Sequence, residues 1–332
     1  MTETVVAPPR RWLRRLVLVG MVFGVGWLIF VFSGSPRDAA PVMPDPNGYD
    51  DLIRAGALIK GDWPNKGDLA KAKIDEVRAV VEVNKASLEL VKVGLGRDCM
   101  VRMIDTQEGL GDHLQDISRL RQVYRLLIGQ GLVFEADGRP IEAAGCYRDL
   151  LKLSQAVTRN GLEIDVITGW SFETKAVSDL TRIRDQLPRD HVLALIGELE
   201  FLDRRRVTIA ELDTRRERWF AGSFSPYLRT IMSLNGMDKK AKVDATKSLT
   251  KGRDKAERSC RFLLVSLAIH AFHEDRKAWP KTVEELVPDY LSSIPIDPNT
   301  DKPLEYPSNA EGMLTDDLSA VARPDGEVKA KP

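Results

Sequence analysis

Between Asn65 and Trp279 the chain contains three prolines: Pro140, Pro188 and Pro226. Proline removes a backbone donor and clashes with the preceding helical turn, so so long a stretch with so few of them leaves room for long helices. Apolar residues across it recur at three- and four-residue spacing, the mark of helices that bury one face. The expected fold class is mainly α, an irregular multi-helix bundle.

Stop and start signals divide that bundle. Asp68 reads as the N-cap of a helix carrying Ile74, Val77, Val81, Leu88 and Val91 and ending at Gly94 or Gly96. A less regular stretch follows around Cys99. A second helix is expected over 111–136, with Leu114, Ile117, Leu120, Tyr124, Leu127 and Leu132 as its apolar stripe. Asp137-Gly138-Arg139 is a turn, with Pro140 placed as a first helical residue. The helix it opens stops at Asn160-Gly161. Another is expected over 162–187, with Asp165, Ser171, Glu173, Thr174 and Lys175 as polar interruptions of a buried helix. Pro188 and Asp190 open a long one that continues through Arg204-Arg205-Arg206 and Arg215-Arg216-Glu217-Arg218 to a break at 222–226. Asp203, Glu211, Asp213 and Glu217 interleave those arginines, which reads as a solvated, salt-bridged face.

The N-terminus constrains location. Leu16 to Phe32 is a run of seventeen residues without charge. As a helix it rises about 25 Å, close to a hydrocarbon core of ~30 Å. Arg10, Arg11, Arg14 and Arg15 precede it, and such a flank places the N-terminus inside. The rival is a cleaved signal peptide with Ser33-Gly34-Ser35 as its small-residue site, but the apolar run is longer than a usual signal core and Pro36 follows directly. An uncleaved anchor is the expectation. The lipid bilayer is then a partner through 16–32. Pro36, Pro41, Pro44 and Pro46 make 33–48 a semi-rigid spacer.

Charge narrows the partners. The whole chain has formal net charge zero. Residues 1–15 carry four Arg and one Glu, so the basic excess belongs to the membrane flank. Nucleic-acid binding has no electrostatic support, and a protein partner is expected instead. Cys99, Cys146 and Cys260 form no Cys-x-x-Cys pair; buried free thiols are expected, with one disulfide as the alternative.

Two patterns are weak candidates for metal chemistry. His270, His273 and Glu274 share a helix face, and His113, His191 or an acidic residue from elsewhere would have to complete the set. Asp297, Asn299 and Asp301 have the first spacings of a calcium loop, but Lys302 stands where glycine belongs and Ser308 where the bidentate glutamate belongs. Asx-turn chemistry is the plainer reading of the second. No catalytic residue, cofactor site or metal site is assigned, and an enzyme is not expected.

Residues 253–306 read differently. An apolar helix over 261–276 is followed by Trp279-Pro280, then Thr282 with Glu285 as a capping box. Glu284-Glu285-Leu286-Val287-Pro288-Asp289-Tyr290-Leu291, Ile294-Pro295-Ile296-Asp297-Pro298 and Pro303-Leu304-Glu305-Tyr306 complete the order. This C-terminal module resembles the globular part of type II secretion major pseudopilins, a tail also carried by uncharacterised bacterial single-pass membrane proteins. The resemblance implies that Trp279, Leu286, Tyr290, Leu291, Ile294 and Tyr306 cover the helix. Arg14-Arg15-Leu16-Val17 stands where a prepilin processing motif would be, so filament assembly is not implied. Where a glycine is usual before Pro303, Asn299-Thr300-Asp301 stands, and Asn and Asp tolerate the left-handed turn best among other residues. Separately, Ala136-Asp137-Gly138-Arg139-Pro140 with Glu142-Ala143-Ala144 resembles one tetratricopeptide hairpin, but the 34-residue period does not recur. A single antiparallel hairpin is expected.

The domain organisation expected is therefore a basic cytoplasmic flank (1–15), a transmembrane helix (16–32), a linker (33–48), a helical domain (49–252), the C-terminal module (253–306) and a disordered tail (307–332). The functional expectation is a single-pass protein of the bacterial inner membrane, with residues 33–332 periplasmic and a structural or protein-interaction role. A pseudopilin-related secretion or envelope-assembly component is the alternative, and a metal-dependent hydrolase the third.

Overall fold

The computed structural model describes residues 41–102, 104, 107–224 and 237–304. Among them run nine α-helices: α1 (Gly48–Leu58), α2 (Ile74–Val83), α3 (Lys85–Leu95), α4 (Gln107–Ala136), α5 (Pro140–Thr158), α6 (Glu163–Ile183), α7 (Arg189–Arg204), α8 (Ile209–Ser223) and α9 (Met237–Arg276). The fold is mainly helical, as expected. The Leu16–Phe32 segment, Tyr306 and the 307–332 tail lie outside the described residues. No helix among the described residues is long and apolar enough to cross a membrane.

α1 is pinned at its start. The Asn47 side chain accepts from Tyr49 N at 3.1 Å and from Met100 N at 3.0 Å, while its amide donates to the Met100 carbonyl at 2.8 Å. One side chain thus caps a helix and ties it to the chain after α3. Gly48 and Gly94 let α1 and α3 meet backbone to backbone: a Cβ on Gly94 would sit 2.9 Å from the Gly48 carbonyl oxygen.

The helix expected from Asp68 to Gly94 or Gly96 is two helices. Asp68 caps nothing with its side chain, and short 3₁₀ turns occupy 64–67 and 69–71. The break falls at Asn84, which is buried at 1% exposure. Its Oδ1 accepts from Lys60 N at 2.8 Å, and its Nδ2 donates to the carbonyls of Lys60 and Val80, both at 2.8 Å. An amide side chain that copies a backbone partner competes with the helix ladder, and here it wins.

The α4–α5 hairpin forms as expected. Gly138 takes φ +69° in the turn, and Pro140 is the first residue of α5. Arg78 on α2 grips Asp137 through two parallel bonds of 2.9 and 2.7 Å. α5 ends at Thr158, and in the turn after it Asn160 takes φ +63° and its amide donates to the Val101 carbonyl at 2.9 Å. Leu114, expected in the buried stripe of α4, is 45% exposed, whereas Ile117 and Leu120 are buried.

α6 is buried on most of its length, and its polar interruptions are partnered. Asp165 is fully buried, accepts from Leu162 N at 2.8 Å and lies 2.8 Å from His113 Nε2. The Thr174 hydroxyl donates to the Trp170 carbonyl at 2.8 Å, and Lys175 reaches Asp179 at 2.6 Å. Buried polar groups without such partners would each cost on the order of 1–3 kcal/mol.

The single long helix expected from Pro188 into the 222–226 break is also two. α7 stops at Arg204, and α8 starts after a Thr208 cap. Thr208 Oγ1 accepts from Glu211 N at 3.2 Å while Glu211 Oε2 accepts from Thr208 N at 2.7 Å, a capping box. The arginine run does not form one solvated face. Arg206 folds inward, 12% exposed, and pairs with Glu173 and Asp203.

α9 is 40 residues long, about 60 Å at 1.5 Å per residue. It packs on α6 and α7 through Leu263, Leu264, Leu267 and Ala271, all buried. The boundary expected between 252 and 253 falls inside this helix, and one apolar core runs from Tyr49 to Leu304. Beyond α9 the chain folds back over it. Leu286, Tyr290 and Leu291 are buried, Trp279 and Ile294 pack alongside, and the Phe272 and Tyr290 rings meet at 5.6 Å. Thr282 precedes a single 3₁₀ turn, Val283–Leu286, and its side chain makes no capping bond to that turn. A two-residue hairpin, β1 (Ile296–Asp297) and β2 (Lys302–Pro303), closes the described chain, with Ile296 opposite Pro303. Asp301 takes φ +54° in its turn, the left-handed conformation expected of an Asn or Asp there.

A second, smaller apolar cluster lies under α8. It joins Val166 and Trp170 of α6 to Leu212 of α8 and to Leu249 and Ala256 of α9.

Candidate functional site

The two patterns singled out from the sequence go to separate neighbours. His270 Nδ1 lies 3.8 Å from Asp185, His273 stacks on the Trp279 ring at 3.8 Å, and Glu274 reaches Lys277 at 3.5 Å. His113 is buried against Asp165, and His191 lies in the first turn of α7. Asp297 behaves as the head of an Asx-turn: its Oδ1 accepts from Asn299 N at 2.9 Å and its carbonyl accepts from Asp301 N at 2.9 Å. Its Oδ2 faces Arg258 at 3.2 Å. No group of three metal-ligating side chains is assembled among the described residues.

All three cysteines are free and buried. Burial pushes the Cys99 thiol up to about 11 and the Cys146 and Cys260 thiols to about 12. The thiolate is the reactive form. Ellman's reagent at pH 8 is therefore expected to find no fast-reacting thiol in the native protein and three after denaturation. A fast native thiol would contradict the packing around it.

What the fold does build is a basic cleft of about 530 Å³. Its walls are the C-terminal halves of α5 and α7, the α7–α8 connection and the first turns of α8, with Trp170 and Glu173 of α6 and Cys260 of α9 also lining it. The volume is that of an ordinary small-ligand or peptide pocket. Each wall has a local cause. Arg206 is drawn down by Glu173, with Nη1 2.9 Å from Oε2, and by Asp203, with Nε 2.6 Å from Oδ1. Asp203 in turn binds Arg261 Nε at 2.9 Å, and Arg261 Nη2 meets Glu257 at 2.6 Å. This chain of charges fastens the α7–α8 corner to α6 and α9. Burial works against the Arg206 charge, but Glu173 and Asp203 outweigh it and hold the guanidinium well above its ordinary pKa. Gln155 closes the wall between α5 and α7 by donating to the Leu202 carbonyl at 3.2 Å.

Seven lining side chains are Arg or Lys and three are Asp or Glu. All three of those carboxylates are already engaged, Asp98 by Arg159, Glu173 by Arg206 and Glu211 by the Thr208 cap. Arg215 reaches in from the second turn of α8. Its Nη1 donates to the carbonyls of Thr158 at 3.0 Å and Gly161 at 3.3 Å. Burial holds its pKa below the ordinary guanidinium value, with Glu211 opposing.

Reading the sequence as one continuous helix through 204–218 hid this cleft. Its signal was present as Thr208-x-x-Glu211, the pattern of a capping box, in the middle of the arginine-rich stretch.

The chain matches no protein-family model, no curated protein and no solved structure.

Proposed function

We propose that this is a membrane-anchored, exported helical protein that works by binding another protein. In this reading Leu16–Phe32 is the tether, residues 1–15 stay in the bacterial cytoplasm, and the proline-rich 33–48 spacer holds the body away from the inner membrane on its periplasmic side. The observation that carries it is the basic cleft of about 530 Å³ in a rigidly cross-braced corner of the bundle. It presents charge and shape, but its Cys260 thiol is held up at about 12 and its Glu173 is locked to Arg206. Those are the properties of a recognition surface rather than of groups poised to transfer protons or attack a substrate.

A second reading, a pseudopilin-related secretion or envelope-assembly component, draws on the C-terminal stretch. Trp279, Tyr290 and Leu291 pack on α9, and the Asp297–Asp301 turn takes the geometry that the resemblance asks for.

The topology is tested by fusing alkaline phosphatase or a green fluorescent protein to the C-terminus of the full chain in bacterial cells. The phosphatase fusion is expected to be active and to stay with membranes after alkaline washing. An inactive phosphatase with a bright fluorescent fusion would overturn the exported placement.

A further inference from the structure

Most cations of the cleft have acidic partners. Arg97 reaches Asp51 at 2.6 Å, Lys152 reaches Asp149 at 3.3 Å, Arg159 reaches Asp98 at 3.2 Å, and Arg204 approaches Glu200 at 3.8 Å. Arg206 is saturated by Glu173 and Asp203. Two arginines differ. Arg205 lies over the exposed Phe201 ring, 4.7 Å from its centroid. Arg215 bonds only the Thr158 and Gly161 carbonyls, through one nitrogen. Neither has a carboxylate within 4.0 Å among the described residues. A guanidinium offers five donors in a fork that fits carboxylates, and Arg215, half-buried and bonded to neutral carbonyls, feels Glu211 and Asp165 only at a distance and keeps donors for a direct carboxylate partner.

Their placement narrows the ligand. Arg205 sits at the α7–α8 corner, and Arg215 lies seven residues beyond Thr208 on α8, about 10 Å along its axis. An extended segment laid along α8 covers that rise in about three residues. At the start of α8 Glu211 N is taken by the Thr208 hydroxyl and Thr208 N by the Glu211 carboxylate, whose negative charge stands where a phosphate would have to sit. The donors on offer are two separated forks rather than one nest of backbone N–H groups.

Building on the reading of the body as a protein-binding module, we infer that the cleft receives an extended acidic segment of the partner, with Arg205 and Arg215 each taking one carboxylate. Trp170 and Leu202 give that segment an apolar floor.

The test uses the full chain in detergent micelles and a fluorescein-labelled ten-residue peptide with glutamates three residues apart. A second peptide carries glutamine at the same places. Fluorescence anisotropy is expected to show binding of the glutamate peptide that weakens as salt is raised, and at least about tenfold weaker binding of the glutamine peptide. Arg205→Gln and Arg215→Gln are each expected to weaken the glutamate peptide about tenfold. Arg215→Lys is expected to recover only part, since an ammonium lacks the fork. Arg205 is exposed and packs only on the exposed Phe201 ring of its own helix, so its variant keeps the test valid even if Arg215→Gln loosens the α5–α6 turn. Equal binding by wild type and both variants would sink the proposal. So would displacement of the peptide by inorganic phosphate at concentrations where free glutamate has no effect, which would mark a phosphate site. A cleft that captures a partner yet ignores the glutamate peptide refutes this inference alone and leaves the protein-binding reading standing.

Discussion

Replacing Arg206 by alanine is expected to lower the unfolding free energy by about 3–5 kcal/mol, because it strands a buried carboxylate. Glu173 is 11% exposed at its side chain and has Arg206 as its ion partner. Asp203 keeps Arg261 and loses less. For a body of this size each kcal/mol moves the melting temperature by roughly 2–4 °C, so a fall of about 10 °C is expected by circular dichroism. Charge is not itself the source of stability, since two ions taken out of water regain little more than they lost. The paired change Glu173→Leu with Arg206→Met is therefore expected to melt within a few degrees of wild type. A single Arg206→Ala variant that melts like wild type would show that the α7–α8 corner is not held as described.

The second large effect is expected at Gly48. Any Cβ there falls well inside contact of the Gly94 carbonyl oxygen and 2.8 Å from Cys99 Sγ. Backbone cannot move aside as a flexible side chain can, so Gly48→Val forces α1 off α3 at a cost of about 3 kcal/mol. Cys99 is covered by this same contact. The variant is expected to make one thiol, Cys99, reactive to Ellman's reagent while Cys146 and Cys260 stay protected. A Gly48→Val protein with wild-type melting and no reactive thiol would mean the two helices do not cross at these glycines.

Both predictions turn on places where sequence reasoning was partial. Helix class, the Gly138–Pro140 turn and the Asn160 stop follow from spacing and caps alone, while the cover of α9 by Leu286, Tyr290 and Leu291 is expected from the resemblance of the C-terminal stretch. These are local choices that tertiary packing agrees with. The breaks at Asn84 and at 205–208 do not follow from periodicity, because apolar spacing carries through both. At Asn84 the deciding partner is Lys60, twenty-four residues away, and no local pattern announces it. At 205–208 the deciding pair, Glu173 and Arg206, is separated by thirty-three residues. The same distance explains the cleft: its charges come from the end of α3 and from α5, α6, α7, α8 and their connections, and only packing brings them together. The histidines show the opposite case. Their local spacing was suggestive, but Asp185 and Trp279 claim them one at a time.

The central claim is that the basic cleft is where this protein meets its partner. The direct measurement is photo-crosslinking in intact cells, with a photo-reactive amino acid placed at Lys152 inside the cleft or at Lys85 outside it. Both side chains are accessible, 46% and 67% exposed. The account predicts a discrete adduct from position 152 that is absent from position 85 and that fades when Arg205 and Arg215 are changed to glutamine. The same adduct from both positions, or an adduct at 152 that is indifferent to the two arginines, would contradict it.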